Sequence, residues 1–170
     1  MSLNRTVALV GMMGAGKTSV GRRLAARLGV AFKDADHEIE AAAGLSVAEI
    51  FEKFGEPEFR EGERKVIARL LAEPPHVLAT GGGAYMDAAT RAAMRKDAFT
   101  VWLKVPLELL LARVGKRATR PLLNTADVKA TMARLLAERE ASYGEADYVL
   151  ESADGPHGAA VEQVLAGLKE

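Results

Sequence analysis

Short apolar runs alternate along this chain with longer stretches in which apolar residues return every three or four positions. The first run, Thr6-Val7-Ala8-Leu9-Val10, is short and continuously apolar after Thr6, which reads as a strand buried on both faces. Val20, Leu24 and Leu28 follow at helical spacing, so a helix is expected from near Lys17 to Leu28. A short second strand is expected at 31–33 and a short helix at 37–43, stopped by Gly44. Ser46-Val47-Ala48-Glu49 has the form of a capping box. It should open a helix through Phe54, with Val47, Ile50, Phe51 and Phe54 on its apolar face, ended by Gly55. Val66, Ile67, Leu70 and Leu71 mark a further helix at 58–71, closed by Pro74-Pro75.

The third strand, 77–80, runs into Gly81-Gly82-Gly83. Asp87 should cap a helix reaching about residue 95, and the fourth strand, at 100–105, holds the single Trp102. Pro106 suits a helix start and a helix at 107–114 follows. A long helix at 126–142, a fifth strand at 148–151 and a last helix at about 156–169 complete the pattern. Strands alternating with helices predict an α/β fold, a mostly parallel sheet with helices on both faces. A length of 170 residues suits one domain spanning 1–170. Two connections are longer than simple alternation requires: the helices between the second and third strands, and a basic stretch at about 115–125. Long connections in compact domains usually carry function, and both should fall at the sheet edge where open α/β folds bind ligands.

The chemistry starts between the first strand and the first helix, at Gly11-Met12-Met13-Gly14-Ala15-Gly16-Lys17-Thr18. Glycines let successive N–H groups turn inward, and the helix behind them points its positive end the same way. Lys17 adds a full charge for β and γ phosphates, and Thr18 a hydroxyl for Mg²⁺. The Lys-Thr pair, with a strand before it and a helix after it, favours a phosphate-binding loop over an ordinary glycine-rich turn.

Other clusters are ambiguous when taken singly. Asp34 and Asp36 would face one way if the chain stays extended, one near a metal's water shell and one near an attacking hydroxyl; a pair of helix-capping aspartates is the alternative. Arg60 and Glu63 share a helix face, as an exposed ion pair or as a guanidinium oriented to meet a carboxylate. Gly81, Gly82 and Gly83 together suggest close approach of a ligand to backbone. Ala79 and Thr80 stand where a second acidic metal ligand often sits, which leaves Asp34 for metal assistance. Arg113, Lys116, Arg117 and Arg120 place four positive charges within eight residues and fit a closing lid. Arg139, between Glu138 and Glu140, would by itself be a solvated surface charge.

Composition narrows the partners. Lys plus Arg and Asp plus Glu are both 23, so no bulk charge draws nucleic acid. No cysteine is present, which removes disulfides and thiolate metal sites, and the three histidines are scattered. No apolar run reaches membrane-spanning length, and a strand begins within a few residues of Met1, so a cytoplasmic protein is expected; no coiled-coil heptad or exposed apolar stripe demands a dimer, which makes a monomer the default expectation.

Together the motifs resemble the shikimate kinase family. The resemblance runs from Val7 to about Val149 through Gly11–Thr18, Asp34-x-Asp36, Ser46–Phe51, Phe59-Arg60-x-x-Glu63, Gly81–Gly83, Arg120-Pro121-Leu122-Leu123 and Arg139. It implies a nucleoside monophosphate kinase-like P-loop fold with parallel strands in the order 2-3-1-4-5. It also implies ATP-dependent phosphorylation of the shikimate 3-hydroxyl in aromatic amino-acid biosynthesis. By this likeness Gly14, Ala15, Gly16, Lys17, Thr18 and Ser19 hold the ATP phosphates, with Arg120 reaching them from a lid at about 115–125 and Arg113 near adenine. Thr18 binds Mg²⁺ and Asp34 supports it through water. Asp36 holds the substrate hydroxyls and is the candidate base, so Lys17, Asp36 and Arg120 form the catalytic set. Arg60 and Arg139 bind the substrate carboxylate, Gly81, Gly82 and Gly83 supply backbone donors, and about 32–69 form the substrate-binding region. One departure is the stretch Ser152-Ala153-Asp154-Gly155-Pro156, which has no Arg or Gln to pack on adenine. A gluconate kinase would share the loop and lid but not need Asp36, Arg60, Gly82 and Arg139 together. An inactive nucleotide-binding module would show a damaged site, whereas Lys17, Asp36 and Arg120 are all present.

Overall fold

The computed structural model describes residues 3–114, 127–151 and 157–169. Arg120, expected in a lid, its neighbours Lys116 and Arg117, and the 152–156 stretch lie outside the described residues. Strands β1 (Thr6–Val10), β2 (Phe32–Asp34), β3 (Val77–Ala79), β4 (Ala98–Lys104) and β5 (Tyr148–Glu151) form one parallel sheet in the order β2-β3-β1-β4-β5. All five residues of β1 are buried. Successive side chains of a strand point to opposite faces, so this central strand is covered on both.

Helices supply the cover. α1 (Lys17–Leu28) lies against β1, β2 and β3 and touches α7 (His157–Leu168). α4 (Ala88–Asp97) packs on β4 and on α3 (Val47–Leu71), which also contacts α2 (Ala35–Ala43). α5 (Leu107–Val114) meets α6 (Val128–Tyr143). Among the described residues no helix is long and apolar enough to cross a membrane.

The capping box is formed as the sequence predicts. Ser46 Oγ accepts from the Glu49 N–H at 3.1 Å, and Glu49 Oε1 accepts from the Ser46 N–H at 3.1 Å. The backbone bond from Ser46 holds the Glu49 carboxyl below its ordinary pKa. The two helices expected on either side of Gly55 run as α3 with a kink at Gly55 (φ 83, ψ 171) and Pro57 just beyond. Phe54 is 57 % exposed rather than inward. The kink at the next residue, Gly55, interrupts the helical repeat from which an inward face was read.

One expectation about the backbone is corrected. α2 starts at Ala35, not at residue 37, so Asp34 and Asp36 do not share an extended stretch. The cause is Asp34 itself, whose Oδ1 accepts from the Asp36 N–H at 2.9 Å and the His37 N–H at 3.3 Å. Two orphan donors of the first turn are thereby satisfied and the helix begins two residues early.

The sheet order positions the site. Leu9 of β1 pairs with Ala79 of β3, which pairs with Asp34 of β2. Parallel strands end at the same edge, so Gly11–Thr18, Asp34 to Asp36 and Gly81–Gly83 emerge side by side.

Candidate active site

The loop after β1 closes around its own lysine. Lys17 is 7 % exposed, and its ammonium donates to the carbonyls of Gly11 and Met12. Gly16, at φ 96, caps α1 without a side chain, a backbone setting that a residue with a Cβ resists. The first-turn N–H groups of α1 therefore face the loop's mouth with no side-chain acceptor on them. Arg113 of α5 donates from Nη1 to the carbonyls of Gly14 at 3.1 Å and Ala15 at 3.3 Å, so its guanidinium braces the loop from behind.

Thr18 and Asp34 meet at the loop's far side. Thr18 Oγ1 donates to Asp34 Oδ2 at 3.3 Å, while Asp34 Oδ1 is engaged in capping α2. Asp34 is thus a cap through one oxygen and a neighbour of the phosphate loop through the other. Asp36, in the first turn of α2, is half-buried and faces Gly81.

The glycine run after β3 is explained by its neighbours. A Cβ on Gly81 would stand 2.9 Å from Asp36 Oδ1, and one on Gly82 would stand 2.9 Å from Arg139 Nη1. A Cβ on Gly83 would overlap Arg60 Nη2. None of the three has a positive φ. Their lack of a side chain is needed for close approach: Gly81 admits Asp36 of α2, with Glu63 Oε2 of α3 3.3 Å from the same point, Gly82 admits Arg139 of α6, and Gly83 admits Arg60 of α3.

Those side chains and the glycines line an open cleft that runs out into solvent. Phe51 and Phe59, with ring centroids 4.7 Å apart, form its apolar side together with Val47. Arg60 Nη1 donates to Glu63 Oε1 at 2.9 Å, and Glu63 is 2 % exposed, so the pair is not the solvated one that an Arg-x-x-Glu spacing suggests by itself. Arg139 is 5 % exposed, not a surface charge. Its Nη1 lies 3.9 Å from Met12 Sδ, and no carboxylate among the described residues pairs with it. A buried cation in that state is strongly disfavoured until an anion arrives.

Two supports were not read from the sequence. The Tyr143 hydroxyl donates to the Gly82 carbonyl, one helical turn beyond Arg139 on the same face of α6. The (i, i+4) spacing from Arg139 was the available signal. Arg64 grips Asp87 through Nε at 3.1 Å and Nη2 at 2.9 Å, while Asp87 also accepts from the Thr90 N–H at 2.9 Å. The guanidinium beside it holds the Asp87 carboxyl well below the usual carboxylate range. This ties the part of α3 that carries Arg60 and Glu63 to the start of α4, just past the glycine run.

Many known proteins are similar to this chain. The family model described as shikimate kinase matches residues 13–169. A shikimate kinase of Caulobacter vibrioides is 54 % identical over 166 residues, covering 98 % of this chain and 83 % of its own length. One of Nitrobacter winogradskyi is 56 % identical over 161 residues, 95 % of this chain and 75 % of its own. Among solved structures, a shikimate kinase from Acinetobacter baumannii in complex with shikimate superposes with a TM-score of 0.95 at 40 % identity, covering 97 % of this chain and 93 % of that one. A gluconokinase from Sinorhizobium meliloti, at 19 % identity and a TM-score of 0.67, shares the fold alone. By sequence and by fold, the chain belongs to the shikimate kinase family.

Proposed function

We propose that this chain transfers the γ-phosphoryl group of ATP to the 3-hydroxyl of shikimate, giving shikimate 3-phosphate and ADP. The observation that carries the acceptor is the convergence of Asp36, Arg139 and Arg60 on three successive glycines beside an apolar wall. A small polyhydroxylated acid matches that set. Its carboxylate meets the two guanidiniums, its hydroxyls meet Asp36, and its ring lies against Phe51 and Phe59. The Acinetobacter relative, solved in complex with shikimate, supports the same reading.

In the reaction the acceptor hydroxyl oxygen attacks the γ-phosphorus. The bond from that phosphorus to the β-phosphate bridge oxygen breaks, and ADP departs with the electron pair. Asp36 orients the hydroxyl and takes its proton. Lys17, now turned onto the Gly11 and Met12 carbonyls, exchanges them for the β and γ oxygens, and the backbone donors of Gly14–Ser19 hold the rest of the phosphate chain. Arg113 keeps that loop in place. Arg120 is the proposed lid arginine that meets the transferring group. Little covalent help is required of the protein; positioning and charge stabilisation carry the step.

Mg²⁺ fits the donors present. Thr18 Oγ1 and Asp34 Oδ2 are hard oxygens 3.3 Å apart at the loop, and among the described residues no group of three or more acidic or histidine side chains offers an all-protein cage. Mg²⁺ prefers such a sparse site, keeping waters and taking phosphate oxygens. When bound it would neutralise charge on the β and γ oxygens. The proposal includes about 32–69 as the substrate-binding region, a lid at about 115–125, and a monomeric cytoplasmic enzyme.

Calorimetric titration with shikimate tests the acceptor. Arg139→Met should weaken binding by about ten- to a hundred-fold, the range for a lost charged hydrogen bond. Binding as tight as the parent's would remove Arg139 from the carboxylate site.

A further inference from the structure

Arg60 has two carboxylate partners of opposite character. Nη1 donates to Glu63 at 2.9 Å, whose side chain is 3 % exposed. Nη2 lies 3.4 Å from Glu56 Oε2, whose side chain is 53 % exposed. Nη2 is also the atom packed over Gly83, and Arg60 lines the cleft. We propose that Glu56 is an internal competitor for the substrate: its carboxylate holds the Nη2 side of the Arg60 fork in the free protein, and the carboxylate of the incoming acid displaces it. This rests on the reading of Arg60 as a carboxylate anchor.

The backbone makes that exchange easy. Gly55, at φ 83 and ψ 171, breaks α3, and Pro57 restarts it, so Glu56 stands at the head of the second segment. An anion there is favoured by the positive end of the helix whether or not Arg60 holds it, and water reaches it freely. Glu63 has no such freedom. Deprived of Arg60 it would be a carboxylate buried away from its main cation. The two acids therefore differ in role. Glu63 fixes the guanidinium, and Glu56 keeps its outer edge engaged until a ligand carboxylate takes over.

An exposed pair of this kind is weak and screened by salt. Its removal should tighten binding only for a ligand that brings its own carboxylate, and only when salt does not already loosen the pair. The test is calorimetric titration of Glu56→Gln with shikimate and with the amide of shikimate, at low and high ionic strength. Shikimate should bind on the order of two- to five-fold tighter than to the parent at low ionic strength. The gap should close at high ionic strength, and the amide should bind parent and variant alike. Equal or weaker binding of shikimate by Glu56→Gln overturns the proposal, as does an equal gain for the amide. Arg60→Met separates this from the reading beneath it. If that variant binds shikimate as the parent does, the anchor and the competitor both fall. If it binds weakly while Glu56→Gln is unchanged, only the competitor falls.

Discussion

Gly83 holds its α-carbon where a methyl group would collide with the Arg60 guanidinium. The obstacle is the far end of a flexible side chain, so Gly83→Ala should leave the fold standing and displace Arg60. We expect the KM for shikimate to rise about ten-fold with little change in Tm, a loss comparable to one charged hydrogen bond. A large fall in Tm with an unaltered KM would mean that the glycine serves the backbone and not the site. Asp36 sits on the opposite side of the same run, against Gly81. Asp36→Asn keeps its size and removes the proton acceptor. Turnover should fall by about two to four orders of magnitude, the usual contribution of a general base, while ADP binding persists. Near-normal turnover would leave Asp36 as a positioning group only. At this scale the sequence was informative for residues that carry a motif and poor for those that do not. Lys17 and Thr18 are legible from local spacing alone. Arg139 is not, because a charged residue between two glutamates on a helix looks solvated, and its burial depends on a glycine run more than 50 residues away in the chain. Only the family likeness placed it.

Among the elements, α3 depends most on contacts outside itself. Its second segment presents Arg60 and Glu63, and Arg64 anchors it to Asp87 at the head of α4. Asp87→Ala removes both an N-cap and an ion pair and should cost about 1–2 kcal/mol in urea unfolding. Asp87→Asn keeps a capping oxygen but not the charge, and isolates the electrostatic part. The folded-state pKa of Asp87 is depressed from its ordinary 3.8. Its contribution is therefore complete above that value and is lost as pH falls through the lower folded-state pKa. The stability difference between the parent and Asp87→Asn should hold near neutrality and shrink progressively as pH falls below about 4. A difference that stays constant across that range would show that charge is not what Asp87 contributes. Element ends were readable where side-chain chemistry is local, as with Ser46 and Glu49. The start of α2 was read two residues late: Asp34 both ends β2 and caps the helix, which is the capping alternative the sequence left open. Strand end and cap use the same short polar residues, so the sequence alone does not fix that boundary.

Across the whole molecule, the order β2-β3-β1-β4-β5 brings the three functional loops to one edge. Strand number and helix alternation followed from hydrophobic periodicity, because a strand buried on both faces must be apolar throughout. The order of the strands did not. Pairings between β1, β3 and β4 join segments about 70 to 90 residues apart, and no local pattern records them. It came from the family likeness and is what the structure shows. The fold is shared with a gluconokinase, so it leaves the acceptor open, and in the proposed function the cleft at Gly81–Gly83 selects it. A coupled assay of ADP release decides the acceptor, run with Mg²⁺ and ATP in parallel on shikimate, quinate, gluconate and nucleoside monophosphates. Shikimate should stimulate release strongly and above every other acceptor; no stimulation by shikimate, or a greater one by gluconate or a nucleotide, would contradict the assignment.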